Sequence, residues 1–348
     1  PRSTTKCSAI TASGSACVLA SGDPGFFGIV RALGDRIGWR ALQVHPAPSS
    51  VAVAFARIGM PWDDAVVMSA HGRDPRAALH AALRHPKVAI LTSAASDPRW
   101  FAARLTGSGR RLVVAERLGD ADERIRSGAA EEIAEQAFAR PNVLLVLDGA
   151  ANGSTTRAWP PRTPERWALD EHEFSHRDGM VTKAEVRALA LARLGAGLGD
   201  LVWDVGCGSG SVAIECARLG AAVIAVDDDS DAVARTTANA AAHGVPVRVV
   251  SGRAPGSLVD LPDPDAVFVG GGGEQLEAIL DLCAARTARA VVVALAVIDR
   301  APVAMERLAA HGLRSEATMI QASRLAPLAG GHRLAAQNPV LLICGARS

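Results

Sequence analysis

An acidic residue followed by three closely spaced glycines is the arrangement in this sequence with the most recognisable chemistry. The apolar run 201–205 contains Asp204 and leads into the glycines of 206–210, after which a helical pattern begins. A strand, a tight glycine turn and a helix N-terminus allow the backbone to approach a bound ligand closely. Ser211 stands where the G-x-G-x-x-G fingerprint of dinucleotide-binding proteins requires its third glycine. The pattern D-x-G-x-G-x-G therefore predicts a nucleotide-type site in which no pyrophosphate has to be held.

A carboxylate at the end of the next strand-like run strengthens this prediction. Asp227 closes the apolar run 222–227, and a carboxylate in that place can accept hydrogen bonds from the ribose hydroxyls of a nucleotide. Asp228 and Asp229 follow directly and are expected to face solvent. A nicotinamide-dependent dehydrogenase is the alternative, and Ser211 disfavours it.

A second pattern, H-E-x-x-H at 172–176, matches the zinc-binding helix of metalloproteases. The extended form of that pattern needs a third histidine where Thr182 stands, and the other common form needs a glutamate where Ala196 stands. The six cysteines of the chain are widely scattered and form no C-x-x-C pair. We therefore expect neither a metal site nor a disulfide framework.

The elements that must position these residues fall into two blocks. Proline cannot lie inside a helix or a central strand, so the Pro-rich stretch 159–164 places a linker over 151–169, between domains at 1–150 and 170–348. Short apolar or β-branched runs alternate with helical stretches such as 74–83 and 128–138. The runs are 16–19, 65–69, 88–92, 111–115 and 142–147 in the first block and 201–205, 222–227, 247–250, 266–269 and 290–294 in the second. This alternation predicts an α/β fold with a parallel sheet, covered on both faces, in each block.

Composition excludes several classes of partner. Among 348 residues, Lys+Arg is 37 and Asp+Glu is 36, so the basic excess that is usual in nucleic-acid-binding proteins is absent. No apolar run approaches the roughly 18 residues of a membrane span. We expect a cytoplasmic protein with reduced cysteines and with neither a nucleic-acid nor a membrane partner.

Four motifs occur in order in the second block. They are F-S-H-R-D-G-M-V-T-K-A-E-V-R at 174–187, W-D-V-G-C-G-S-G-S-V-A-I-E at 203–215, P-D-P-D-A-V-F-V-G-G-G-G at 262–273 and L-A-A-Q-N-P-V-L at 334–341. Together they resemble the decarboxylating precorrin methyltransferases that act at C15 of a corrin precursor, which are class I, Rossmann-like enzymes dependent on S-adenosylmethionine. The resemblance implies methylation of C15 and loss of carbon dioxide from the acetate side chain on C12.

The first block carries a second ordered set of motifs. They are V-L-A-S-G-D-P-G-F-F-G at 18–28, P-A-P-S-S-V-A-V-A-F at 46–55, H-G-R at 71–73, H-P-K-V-A-I-L-T at 85–92 and A-E-R-L-G at 115–119. The set resembles the tetrapyrrole methylases that act at C5, which open with a strand and a G-x-G-P-G loop. Because Gly14 is the only glycine before Ser21, we expect that strand, its loop and the following helix to be missing from this chain. The resemblance implies two fused activities; alternatively, only the second block is active and the first is a docking or oligomerisation module.

These resemblances imply S-adenosylmethionine as the cofactor and assign candidate residues to it. The candidates in the second block are Thr182, Asp204, Gly206, Gly208, Gly210, Asp227, Ala254, Gly270 and Gly271. The candidates in the first block are Ser21, Gly22, Asp23 and Thr92. Many methyltransferases carry an acid where Arg253 stands, so adenine is expected to be read by the backbone around Arg253 and Ala254.

The implied substrate is a tetrapyrrole with many carboxylates, so local cations are needed to recognise it. The candidate substrate-binding residues are Arg177, Lys183, Arg187, Arg324 and Arg333, together with Ser49 and Ser50 in the first block. The families also imply a homo-oligomer. No residue is identified as a catalytic acid or base.

Overall fold

The computed structural model describes residues 9–12, 15–20, 22–148, 166–177 and 181–347. The chain divides into two compact units, one of Pro1–Ala78 and Pro86–Pro161 and the other of Leu79–His85 and Arg162–Ser348. The Pro-rich stretch 159–164, and with it most of the predicted linker, lies outside the described residues. Within the described ranges, no helix is both long and apolar enough to cross a membrane.

The first unit contains strands and helices in alternation. Its strands are β1 (Ala9–Ala12), β2 (Ser15–Val18), β3 (Val66–Ser69), β4 (Lys87–Leu91), β5 (Arg110–Glu116), β6 (Arg124–Ala129) and β7 (Asn142–Asp148). Its helices are α1 (Val30–Ile37), α2 (Ser50–Arg57), α4 (Pro98–Leu105) and α5 (Ala130–Ala134), and α3 (Arg76–Arg84) contains the point at which the chain passes to the second unit. The strands β1 and β2 form a separate antiparallel pair.

The main sheet of the first unit has the strand order β3-β4-β7-β5-β6. Strands β3 and β4 are parallel, whereas β7 is antiparallel to both β4 and β5, and β6 is antiparallel to β5. The prediction of a parallel sheet is therefore wrong for this unit. An apolar run predicts a strand but not the direction of that strand in the sheet, which depends on the connections. The short connection at 117–123, between β5 and β6, is long enough for a hairpin but too short for the crossover that parallel strands need.

The second unit is built on one large sheet. Its strands are β8 (Leu201–Val205), β9 (Ala222–Asp227), β10 (Arg248–Ser251), β11 (Ala266–Val269), β12 (Ala290–Leu295), β13 (Arg314–Ile320), β14 (Ser323–Leu328), β15 (Gly331–Ala336) and β16 (Val340–Ala346). Its helices are α6 (Ala184–Leu194), α7 (Ser211–Arg218), α8 (Ser230–Ala242), α9 (Leu276–Arg286) and α10 (Ala301–Ala310). Seven strands pair in the order β10-β9-β8-β11-β12-β16-β13, and β16 alone runs antiparallel to the other six; β14 and β15 form a separate hairpin.

Both faces of this large sheet are buried. Trp203 and Val205 of β8 pack in one core cluster with Leu280 of α9, while Val202 packs in the other with Ala213 of α7. Alternate residues of a strand point to opposite faces, so the sheet is covered by helices on both sides, as its unbroken apolar runs predict.

The observed strands test the sequence prediction directly. All ten predicted runs are strands, and their bounds agree within one residue at either end. The helix predicted at 128–138 is confirmed only over the five residues of α5, because β6 extends to Ala129 and the helix ends at Ala134. In the described part of the chain, six strands were not predicted. The strands β6, β13, β14 and β15 are largely exposed and carry no apolar run, whereas β1 has only four residues and β16 was missed although it is an apolar and mostly buried run.

Candidate functional site

The glycine turn after β8 lies at the carboxyl edge of the large sheet. Because β8, β9, β10, β11 and β12 are parallel, the loops that follow them meet at this edge. A cavity of about 230 Å³ opens there. It is lined by Val205, Gly206, Val226, Asp227, Asp228, Gly252, Arg253, Ala254, Gly272, Gly273, Gln275 and Ile279.

Three of the predicted donor-site residues, Gly206, Asp227 and Ala254, line this cavity. Gly270 and Gly271 are not among the lining residues, and the N–H of Gly270 donates to Val205 O at 2.9 Å. Asp228, expected to face solvent, is exposed but also lies at the cavity wall.

Two cavity residues belong to no sequence motif. Gln275 and Ile279 lie at the start of α9 and were not predicted, since no motif marks them. The helical periodicity that follows the four glycines is the signal that could have indicated them.

Asp227 holds the glycine turn in place and also faces the cavity. Its Oδ2 accepts a hydrogen bond from Gly208 N at 2.9 Å, and its Oδ1 accepts one from Asp229 N at 3.1 Å. The turn is tied to the same strand end, since Gly206 N donates to Val226 O at 2.8 Å. The carboxylate is therefore oriented at the cavity wall, and it keeps further lone pairs with which to accept hydrogen bonds from a ligand.

Asp204 lies behind the turn and is only 1% exposed. Its Oδ2 accepts a hydrogen bond from Ala213 N at 2.9 Å, whereas its Oδ1 has no partner in the described part of the chain. Burial, with a smaller repulsion from Asp227, raises the pKa of this carboxyl to about 7. A buried carboxylate oxygen without a partner is unfavourable, so the arrangement suits a cationic or hydrogen-bond-donating group of a ligand.

Replacement of Asp204 by asparagine is expected to remove a pH dependence of stability. The pKa of Asp204 is about 7 in the folded protein and about 4 in an unfolded chain. The folded state binds this proton more tightly, so the free energy of unfolding falls as the pH rises from about 4 to about 7 and is unaffected by this group above that range. Relative to Asp204→Asn, the wild type should lose about 2 kcal/mol between pH 5 and pH 7, measured by urea unfolding. Equal pH slopes for the two proteins would contradict this assignment.

Asn239 on α8 joins the glycine turn to the segment before α6. Its side chain is 5% exposed, and Nδ2 donates to Ser209 O and Ser175 O, each at 2.9 Å. Its Oδ1 accepts a hydrogen bond from Ser175 N, also at 2.9 Å. Because both ends of the amide hold backbone groups, Asn239 positions the turn. It was not predicted, since a lone asparagine in a helical pattern carries no sign of its partners.

Gly210 ends the turn at a place where a side chain does not fit. Its φ is +71°, and a Cβ there would lie 2.6 Å from Cγ2 of Thr236, whose Oγ1 donates to Gly208 O at 3.2 Å. We expect Gly210→Ala to lower the free energy of unfolding by about 3 kcal/mol, from backbone strain and overlap together. Gly208→Ala is the matched control: its φ is +57° but its Cβ would meet open space, so the cost should be about 1 kcal/mol. Urea unfolding of both variants tests this, and equal losses would refute a role for the contact with Thr236.

Arg187, a predicted substrate-binding residue, is fully buried. Its Nε donates to Glu215 Oε1 at 2.5 Å, and its two terminal nitrogens donate to Thr182 O and Leu169 O. Glu215 also accepts hydrogen bonds from Ala168 N at 2.5 Å and Leu169 N at 2.9 Å. This placement rules out direct contact with a substrate and makes Arg187 a positioning residue. It also shows that residues before 170, the predicted domain boundary, pack within the second unit.

Arg324, the second predicted substrate-binding arginine, lies between two carboxylates. It donates to Glu171 at 2.6 and 2.8 Å and to Glu185 at 2.7 to 3.0 Å. These hydrogen bonds lower the pKa of Glu171 to about 2 and raise the pKa of Arg324. Glu171 also accepts a hydrogen bond from Ala184 N at 2.9 Å. The guanidinium therefore attaches β14 to the start of α6, and its charge is already balanced.

The remaining predicted residues of this unit are spread over the surface. Arg177 approaches Asp229 at 3.7 Å, Lys183 precedes α6 and is half-buried, and Arg333 is exposed on β15. Thr182 is half-buried and is not among the residues that line the cavity. The structure does not gather the predicted cations into one cluster.

The H-E-x-x-H pattern does not form a zinc-binding helix. Residues Glu171–Glu173 make a single 3₁₀ turn, and Phe174 is extended. His172 and His176 therefore do not lie one turn apart on an α-helix, which is the geometry that such a site requires.

The predicted residues of the first unit have local partners. Asp23 Oδ1 accepts a hydrogen bond from Gly25 N at 2.8 Å, Ser49 Oγ caps α2 by accepting from Ala52 N at 3.1 Å, and Thr92 donates to Asn142 Oδ1 at 2.6 Å. Gly22 and Ser50 are exposed. Ser21 lies outside the described residues.

The strand order, the glycine turn and the carboxylate at the end of β9 define a class: the second unit has the Rossmann-like fold of S-adenosylmethionine-dependent methyltransferases. Residues 172–346 match the family described as precorrin methyltransferase domain, and residues 4–134 match the tetrapyrrole (corrin/porphyrin) methylases. The chain belongs to the precorrin methyltransferase family, which confirms the resemblance drawn from its motifs.

Individual relatives agree with this family. The chain is 40% identical over 267 residues to precorrin-6Y C(5,15)-methyltransferase [decarboxylating] of a Sinorhizobium species, a match that covers 74% of this chain and 62% of the relative. It is 38% identical over 192 residues to a probable cobalt-precorrin-6B C(15)-methyltransferase (decarboxylating) of Pyrobaculum calidifontis, covering 53% of this chain and 97% of the relative. A crystal structure of precorrin-6Y C5,15-methyltransferase from Geobacter metallireducens is 31% identical, with a TM-score of 0.49 and coverage of 51% and 97%. The chain thus spans less than two thirds of the Sinorhizobium relative.

Proposed function

We propose that this chain methylates a corrin precursor in cobalamin synthesis. The second unit binds S-adenosylmethionine in the cavity beside Asp227, methylates C15 of a precorrin and removes carbon dioxide from the C12 acetate; the first unit methylates C5. The observation that most supports this function is the Asp227 carboxylate, held at the cavity wall by Gly208 N at 2.9 Å. It lies at the strand end where nucleotide riboses bind in such folds.

The residues around the cavity fit such a donor. S-adenosylmethionine supplies an electrophilic methyl group when it is bound. Asp227 would accept hydrogen bonds from its ribose hydroxyls, and the unpartnered Oδ1 of Asp204 would balance its ammonium group. The backbone at Ala254, which lines the cavity, would meet the adenine. In-line displacement at a methyl carbon needs positioning and exclusion of water above all. The cavity walls would position the donor, and a bound acceptor would exclude water from the open side.

The decarboxylation places few demands on the protein. When the C12 acetate loses carbon dioxide, the electrons of the broken bond stay on the macrocycle side, and a proton from solvent replaces the carboxyl group. The conjugated macrocycle can accept those electrons. This chain then needs only to hold the substrate beside the donor, so the proposal assigns no catalytic acid or base.

The mass of the product tests the function. The protein is incubated with S-adenosylmethionine and precorrin-6B, and the molecular mass of the tetrapyrrole product is measured by mass spectrometry. Gain of two methyl groups with loss of one carbon dioxide is the expected result. Gain of one methyl with the same loss would show that only the second unit is active and would favour a docking role for the first. An unchanged mass, together with a thermal shift by NAD and none by S-adenosylhomocysteine, would replace the proposal by the dehydrogenase alternative.

A further inference from the structure

The loop after β12 lies beside the donor cavity and has no assigned role. β12 is parallel to β11, so residues 296–300 emerge at the same carboxyl edge as the loop of 270–273. All five residues from 296 to 300 are exposed. Val297 is 50% exposed and Ile298 is 61% exposed, although they are large aliphatic side chains that are usually buried.

Arg300 holds this loop against the cavity wall. Its Nη1 donates a hydrogen bond to Gly273 O at 2.9 Å, and Gly273 itself lines the cavity. Over the described ranges, this is the one hydrogen bond that the guanidinium makes, so its other N–H groups remain available to a ligand. Arg187 and Arg324 differ from it, because their donors are already taken by carboxylates and backbone carbonyls.

We propose that Val297, Ile298 and Arg300 bind the methyl-accepting tetrapyrrole. This inference rests on the proposed function, because the acceptor must lie at the open side of the donor cavity for its carbon to reach the methyl group. The macrocycle of such a substrate is apolar and its rim carries carboxylates. The two aliphatic side chains match the macrocycle, and the Arg300 guanidinium matches a rim carboxylate. Asp299 precedes Arg300 in the loop, and its negative charge offsets a general attraction of the loop for anions. Binding should therefore depend on one carboxylate that reaches the Arg300 guanidinium directly.

Equilibrium dialysis of precorrin-6B in the presence of S-adenosylhomocysteine tests whether Val297, Ile298 and Arg300 bind the substrate, and it does not depend on turnover. For Arg300→Gln and for the double variant Val297→Ser/Ile298→Ser, the Kd for precorrin-6B should rise about 10-fold or more. The Kd for S-adenosylhomocysteine should stay within about twofold. Arg314→Gln is the matched control, since Arg314 is an exposed arginine at the start of β13, at the opposite edge of the sheet. It removes the same charge and should leave both constants unchanged.

An unchanged Kd for precorrin-6B in both Arg300→Gln and the double variant Val297→Ser/Ile298→Ser would overturn the inference. The double variant could instead change the molecular mass measured by light scattering and leave the Kd for precorrin-6B unchanged. Val297 and Ile298 would then pack against a second copy of the chain, and the inference would again be wrong. Failure of the wild type to bind S-adenosylhomocysteine is a different result: it would contradict the proposed function itself.

Discussion

Asp227→Asn is expected to weaken the binding of S-adenosylhomocysteine about 100-fold, because a hydrogen bond to a charged group contributes about 1.5 to 3 kcal/mol and the variant would lose one of the two that the ribose would make. The carboxylate is already oriented by Gly208 N at 2.9 Å and Asp229 N at 3.1 Å. An asparagine has one acceptor oxygen where the carboxylate has two, so it cannot serve both the turn and the ribose. Isothermal titration calorimetry at low salt measures the change.

The matched control for this variant is Asp260→Asn. Asp260 is an exposed carboxylate in the same unit and is not among the residues that line the cavity. Its replacement removes the same charge and should change the affinity by less than about twofold. An Asp227→Asn protein that melts like the wild type and still binds S-adenosylhomocysteine within fivefold of it would show that Asp227 does not hold the ribose.

Arg187→Met is expected to lower the free energy of unfolding by about 3 to 5 kcal/mol, because it leaves Glu215 as a buried charge without its partner. The ion pair joins Arg187 Nε to Glu215 Oε1 at 2.5 Å, and both side chains are almost completely buried. The segment at Leu169, which donates to Glu215 and accepts from Arg187, should loosen with it. Urea unfolding followed by circular dichroism measures the loss.

An exposed ion pair on the same helix is the control that separates the effect of burial on stability from the effect of losing a charge. Arg193 of α6 donates to Glu316 at 2.7 Å, and both side chains are about half exposed. Arg193→Met should therefore cost at most about 1 kcal/mol. Combining Arg187→Met with Glu215→Gln should recover part of the loss, since a neutral amide can still accept hydrogen bonds from the backbone at Ala168 and Leu169. Equal losses for Arg187→Met and Arg193→Met would contradict a buried pair at Arg187.

The correct predictions rest on patterns that are local in the chain. The strands β8, β9 and β11 have the predicted bounds, because strands buried on both faces are continuous apolar runs. The glycine turn and Asp227 were also predicted. They follow strands that are parallel, and in such a sheet the loops after neighbouring strands meet at one edge. The positions of these motifs in the sequence were therefore enough to predict that the glycine turn and Asp227 lie close together.

Only the tertiary structure decided what each polar side chain does. Arg187, Arg324 and Arg300 are all arginines of the second unit, yet the first is buried on Glu215, the second lies between two carboxylates and the third is exposed. Their partners are distant in sequence, and no local pattern encodes a partner from another element. The antiparallel strands of the first unit and the exposed strand β6 were mispredicted for a related reason. The sequence by itself thus determined the fold class, the family and the location of the cavity at the ends of β8 and β9, since these depend on short motifs and on burial. The roles of individual charged residues depend on packing between distant segments, which only the folded chain defines.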